Sequence, residues 1–294
     1  MRNSFVYLFT ILLLYATGAQ GQWSDDFSDG DFTANPAWVG MDSHFVVTAG
    51  TELQLNAPAV TAESYLSVAS TIAQDAVWTF DVRLDFNPSG QNRAYIYLMV
   101  SQLDLTQPQD GYYVLVGNTD DEISLYRQTG GTRTKIIDGP DDWVNVSAPH
   151  ARIRVTRSNS GNWQLEADTS SGFSGYTSMG TVTDNTHNTS AYFGLLCDYS
   201  STRSDKFFFD NFSVSALPDT SGPALDSARW LGNDSVMLYF NEALDPAPAN
   251  TPGNYTVSGG VGSPNSAALQ GGNRVALAFS GGFPSNTSFE VVAQ

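Results

Sequence analysis

Cysteine, histidine and basic residues are all scarce in this chain of 294 residues, and each shortage removes a class of function. Cys197 is the only cysteine, so no disulfide forms within the chain and any domain must be held together by a hydrophobic core. It lies in the apolar run from Ala191 to Tyr199, which predicts a buried, inert thiol. The three histidines, His44, His150 and His187, show neither H-x-H nor H-E-x-x-H spacing, which argues against a zinc site. Lysine and arginine together number 13 against 30 aspartates and glutamates, a formal charge of −17. A polyanion such as nucleic acid is therefore not an expected partner. Serine is plentiful, yet no G-x-S-x-G elbow occurs. Nor is there an E-x-D-x-x-E run, the pattern that would flank a glycosidic bond with two carboxylates about 5 Å apart. The nearest acidic strand, Asp120-Asp-Glu-Ile-Ser124, has the wrong spacing, and Asp81 and Asp85 on a shared strand face are expected to be solvated. No catalytic residue is identified.

Long apolar runs are absent too, apart from Val6–Ala16. That run is shorter than the roughly 20 residues a spanning helix needs. It follows a single positive charge at Arg2 and precedes the small residues Thr17-Gly-Ala-Gln-Gly21, the pattern of a cleaved secretory signal over residues 1–21. The mature chain is thus expected outside the cytoplasm, with no membrane span. Loss of Arg2 leaves 12 basic residues and a formal charge of −18.

What is present is alternation. Trp78, Phe80, Val82, Leu84 and Phe86 fall on one face of a run whose other face carries Thr79, Asp81, Arg83 and Asp85. Arg152–Arg157 and Trp163–Asp168 repeat the pattern around Ser158-Asn-Ser-Gly161, and further turns fall at Asn87–Gly90, Thr129–Gly131 and Asp138–Pro140. No long stretch has a period of 3.6 residues, so the chain reads as all-β, a sandwich of antiparallel sheets. Linker residues replace the alternation over 217–224, after which strand-like runs resume at Ser235–Phe240, Tyr255–Val257, Arg274–Phe279 and Phe289–Val292. Two domains are expected, 22–216 and 225–294. The second ends directly after a strand, as if cut short, with further domains of the same polypeptide beyond residue 294.

Several motifs carry a resemblance. "DDFSDGDF", "FNPSGQNRAYIYL", "GYYVLVG", "DDEISLYRQTG" and "SAYFGLLCDYSSTRSDKFFFDNFSV" resemble the concanavalin A-like, laminin-G-like jelly-roll module of exported surface proteins of Bacteroidetes. "MLYFNEALDPAPANTPGNYTVSGG" resembles a bacterial Ig-like domain of the S-layer protein type, here lacking its final strand. The resemblance implies a concanavalin A-like jelly roll followed by an incomplete Ig-like sandwich, in a multi-domain secreted or surface-attached protein. It implies no reaction. Carbohydrate or surface adhesion is the expected role; an enzyme with its catalytic site unrecognised or beyond residue 294, and a structural surface component, are the alternatives.

Two groups of residues are candidate sites. Tyr95 and Tyr97 point opposite to Ile96 and Leu98, and Tyr126 points opposite to Ile123 and Leu125. Three tyrosines on a polar face would make a platform for the sugar rings of a glycan, or else cover the rim or second face of the sandwich. The other group begins in "WSDDFSDGDF", residues 23–32, where four aspartates crowd around Gly30. A self-contained calcium loop is excluded, because the D-x-[DN]-x-[DN]-G template laid on Asp25 finds Phe27 at its third place and Pro36 at its twelfth. With period two, however, Asp210 shares an apolar face with Phe208, Phe212 and Val214, and Asp25 lies between Trp23 and Phe27. A carboxylate in such a place needs a partner. If the first and last strands pair, Asp25 or Asp26 approaches Asp210, and the resemblance implies that the Asp210 of "FDNF" holds a structural Ca²⁺. The alternative is that Asp210 caps backbone amides or pairs with Arg203 or Lys206.

Overall fold

The structure, a computed structural model, describes residues 22–217, 222–283 and 289–293. The signal-like segment 1–21 and linker residues 218–221 lie outside the described residues. The chain divides into two compact units between residues 217 and 218.

The first unit is an antiparallel jelly-roll sandwich of two sheets. One sheet runs in the order β13 (Thr177–Thr183), β12 (Asn162–Asp168), β11 (His150–Arg157), β6 (Ala76–Leu84), β15 (Phe207–Ala216), β4 (Leu53–Leu55) and β3 (Phe45–Val47), with β1 (Trp23–Asp25) also on β15. The other runs β10 (Thr132–Ile137), β9 (Glu122–Gly130), β8 (Gln109–Gly117), β7 (Arg93–Val100), β14 (Tyr192–Tyr199), β5 (Ala62–Ala69) and β2 (Val39–Gly40). The alternation expected for β6 is realised: Trp78, Phe80, Val82 and Leu84 are buried between the sheets, joined by Phe86 just beyond the strand. Across the core they meet Ile96, Leu98, Val114, Ile123 and Leu125 from the second sheet. Cys197 is buried there as well, and burial pushes its thiol well above the ordinary range, which suppresses thiolate chemistry.

Asp81 departs from the expectation of a solvated side chain. It is buried on the outer face of β6, where Arg152 grips it through Nε at 2.8 Å and Nη2 at 2.7 Å, and Asn211 donates to it at 2.9 Å. Cross-strand pairing supplied the partner: Arg152 lies directly opposite Asp81.

The second unit has a four-stranded sheet in the order β16 (Leu225–Gly232), β17 (Ser235–Phe240), β20 (Arg274–Ala278) and β19 (Ser266–Gln270). A two-stranded sheet pairs β18 (Tyr255–Val257) with β21 (Val291–Ala293). Val236, Leu238, Phe240, Tyr255, Val257, Val275 and Leu277 form its core.

Candidate functional site

Each sheet of a sandwich has one face for the core and one for solvent. The seven-stranded sheet departs from this, because its outer face carries a second apolar cluster built from Tyr65, Tyr95, Tyr97, Val100, Leu105, Tyr113, Leu115 and Leu196. Register explains how. Tyr97 on β7 lies opposite Tyr113 on β8, which lies opposite Tyr126 on β9, which lies opposite Lys135 on β10. Three tyrosines therefore stand side by side across three strands, with ring centroids 5.1 Å and 5.2 Å apart, and the Tyr113 and Tyr126 rings are stacked within 4° of parallel. On the other side of Tyr97 comes Gly194, whose missing side chain leaves a slot filled by Leu105. The next row reads Tyr65, Leu196, Tyr95, Leu115 and Ser124. Beyond it come Glu63, Asp198 and Arg93, again directly opposite one another.

The tyrosines point as expected, away from the core, but the face is aromatic rather than polar and the three do not form an open platform. Tyr95 and Tyr97 are 2% and 0% exposed; only Tyr126 is half-buried. Arg133 is the reason in part. Its guanidinium lies 5.2 Å from the Tyr95 centroid and 6.0 Å from that of Tyr113, and it donates to the Tyr95 hydroxyl at 3.4 Å. Arg93 approaches Tyr95 as well, at 5.5 Å. The Tyr97 hydroxyl donates to Gln128 Oε1 at 3.3 Å. Burial pushes all four hydroxyls, of Tyr95, Tyr97, Tyr113 and Tyr126, above the ordinary tyrosine range, so they remain neutral hydrogen-bonding groups. Arg133 and Glu63 are exposed there, and Tyr126, Tyr192, Arg93, Asp198 and Lys135 reach solvent in part.

The three aspartates behave otherwise than the calcium reading requires. β1 does pair with β15, setting Asp25 opposite Phe212 on the core side. A β-bulge then separates Asp25 from Asp210. Between Asp210 and Ser213 the last strand carries one residue more than β6, with Asn211 at φ 52°, so the inward parity changes from Phe207 and Phe209 to Phe212 and Val214. Asp210 consequently faces outward opposite Asp81, on the opposite face of the sheet from Asp25. Both oxygens of Asp25 are used locally: Oδ1 accepts from the Phe27 amide at 3.0 Å and Oδ2 from Trp38 Nε1 at 2.9 Å. Asp26 caps Ser28, and Asp210 accepts from the Asn211 amide at 2.7 Å. Asp25, Asp26 and Asp210 therefore do not converge on one ion. Among the described residues no group of three or more histidine, cysteine, aspartate or glutamate side chains is placed to hold a metal.

The bulge has a measurable consequence. Partial burial, with the carboxylates of Asp81, Glu52 and Asp26 adding to it, pushes the Asp210 carboxyl up to about 6. The folded state thus holds a proton that the unfolded chain releases near pH 4. The associated stability is present below pH 4 and lost as the pH rises through about 6. Asp210→Asn keeps the acceptor for Asn211 and removes the charge. It is expected to stabilise the first unit by ~1 kcal/mol at pH 8 and to have no effect near pH 3.5, as read from thermal midpoints at the two values. An equal shift at both pH values would show that charge is not involved.

A further polar cluster closes one end of the sandwich. Asp184 accepts from the Tyr112 hydroxyl at 2.5 Å, from the Thr186 amide at 2.9 Å and from Arg127. The fully buried Arg157 donates to Asn188 Oδ1 at 2.6 Å, to the His187 carbonyl at 2.9 Å and to the Ala73 carbonyl. Most of these polar groups satisfy one another, as a structural seal requires, although the buried Arg157 Nε has no hydrogen-bond partner and the Thr129 hydroxyl lies 2.9 Å from His187 Nε2.

Reasoning along the sequence missed Tyr65, Tyr113, Arg133, Glu63, Arg93 and Asp198 on the tyrosine face. Of these only Tyr113 had a signal, since it stands in the run "GYYVLVG". Which of Tyr112 and Tyr113 faces outward depends on the pairing of β8 with its neighbours. The remaining five are brought together by register between strands remote in sequence.

No known protein family matches the sequence, and no curated protein does. Solved structures with a similar chain path include the exoplasmic/lumenal domain of VIP36 in its Ca²⁺/mannose-bound form, with 14% identity, 63% of this chain and 84% of that chain covered, and a TM-score of 0.47. Another is the carbohydrate-binding module CBM66 from Bacillus subtilis, at 11% identity, with 61% and 95% covered and a TM-score of 0.44. A third is the carbohydrate recognition domain of Emp47p, at 13% identity, with 65% and 93% covered and a TM-score of 0.43.

Proposed function

We propose that the first unit is a non-catalytic glycan-binding module, and that its ligand lies on the outer face of the seven-stranded sheet. One observation carries this reading: a sheet face turned away from the core is lined with tyrosines and edged by arginine and carboxylate side chains. Such a surface matches a sugar, whose ring has apolar C–H faces and a periphery of hydroxyls. The signal-like run Val6–Ala16 and the acidic composition support export and an adhesive role at a cell surface, with the second unit as an Ig-like spacer.

Tyr126 is the tyrosine of the row that reaches solvent, so its truncation is the direct test. Tyr126→Ala is expected to abolish capture on a glycan array while lowering stability by ~2 kcal/mol, less than a fully buried tyrosine would cost, because part of the ring already reaches solvent. Undiminished capture of every glycan that the unaltered protein retains would eliminate this face as the site.

A further inference from the structure

Charge on the tyrosine face narrows the ligand class. The cations are Arg93, Arg133 and Lys135. Lys135 is held by Glu122 and Asp138, at 2.7 Å and 2.6 Å. Arg93 lies 3.4 Å from Asp198, its neighbour across the strands. Among the described residues Arg133 and Glu63 form no ion pair, and both have exposed side chains. Arg133 is instead laid over Tyr95 and Tyr113, and Glu63 ends the charged row that begins at Arg93. The face therefore presents one loosely held donor and one loosely held acceptor beside the aromatic rows, and no excess of positive charge. The whole chain carries −17.

We infer that the ligand is an uncharged glycan, whose hydroxyl groups are read by Glu63 as acceptor and Arg133 as donor. This rests on the glycan-binding reading above. A uronic acid or a sulfated sugar would meet a face on which the carboxylates of Glu63, Asp198, Glu122 and Asp138 outnumber its three cations, and Glu63, beside the one unpaired cation Arg133, would oppose it. A neutral hydroxyl, by contrast, donates to the Glu63 carboxylate and accepts from the Arg133 guanidinium without leaving either charge opposed. The apolar ring face would then rest on Tyr126 and on the rings that Arg133 partly covers. Arg133 must shift to admit it, and its single hydrogen bond to Tyr95, at 3.4 Å, is a weak restraint.

The test uses the full chain on immobilised polysaccharides, with neutral β-glucan, mannan, xylan and galactan in one set and polygalacturonate, alginate and a sulfated galactan in the other. Binding is expected in the neutral set alone. Its Kd should change less than about twofold between about 50 and about 500 mM NaCl, because no net charge is neutralised on binding. Arg133→Ala and Glu63→Gln should each weaken it about tenfold or more, the loss of one charge-assisted hydrogen bond, with the thermal midpoint unchanged in Glu63→Gln and slightly lowered in Arg133→Ala, which gives up its contacts with Tyr95 and Tyr113. Preference for the acidic set, a steep salt dependence, or full binding in both variants would overturn the inference and leave the glycan-binding reading in place. Retention of no polysaccharide from either set would overturn both.

Discussion

Trp38→Ala is expected to destabilise the first unit by ~4 kcal/mol, the range for removing a fully buried aromatic side chain from a packed core. Trp38 is 1% exposed and sits where four other rings meet, with centroids of Phe212 at 5.0 Å, Trp23 at 5.8 Å, Phe193 at 6.0 Å and Phe27 at 6.3 Å. These rings come from β1, β14, β15 and the segment after β1, so the indole ties the N-terminal strand to both sheets. Its Nε1 also supplies one of the hydrogen bonds that Asp25 needs on the core side of the sheet. Trp38→Phe separates the two contributions, keeping most of the ring contact and stranding the carboxylate, at a cost of ~1–2 kcal/mol. Urea denaturation followed by circular dichroism measures both. A loss below ~1 kcal/mol for the alanine variant would mean that the aromatic cluster is not a unit of stability.

Gly111→Ala is the second large effect. Gly111 lies on β8 opposite Val100, immediately beyond a register shift on β7 between Tyr97 and Met99. A Cβ at this position would overlap the Met99 carbonyl oxygen and come within 3.1 Å of Val100 Cα. The obstacle is backbone within a sheet, which cannot rotate aside as a side chain does, so a loss of ~3 kcal/mol or more is expected. Gly131→Ala is the control. Nothing lies within 4 Å of the added atom there, and the change should be within ~0.5 kcal/mol of neutral. Because Gly111 precedes Tyr112 and Tyr113, its substitution should also weaken glycan capture even where the protein still folds. Capture fully preserved in a folded Gly111→Ala protein would separate the tyrosine face from the pairing of β7 with β8.

Periodicity made the jelly roll legible. In β6 the alternation of large apolar and polar residues is unbroken, and Trp78, Phe80, Val82 and Leu84 enter the core as it requires, while Asp81 on the other face is buried by its pairing with Arg152. The same rule misplaced Asp210. One extra residue in β15 inverts the faces, and nothing in "KFFFDNFSV" marks it except Asn211, a residue type that tolerates positive φ at low cost. The outward direction of Tyr95, Tyr97 and Tyr126 was legible because each strand alternates regularly through those positions. Their burial was not, because Arg133 and Leu105, which help to cover them, come from an edge strand and a loop.

The sequence by itself therefore determined the class of the protein. Scarce cysteine demands a core, an acid excess disfavours polyanions, and period-two patterning produces antiparallel sheets, since each of these is a property of composition or of near neighbours. Only the tertiary structure decided which charges meet. Asp81 found Arg152, Asp25 found Trp38, and Glu63, Asp198 and Arg93 fell into one row beside the tyrosines. Those encounters depend on the register between strands far apart in the chain, and a shift of one residue reverses every side chain beyond it. The candidate site is made of such encounters.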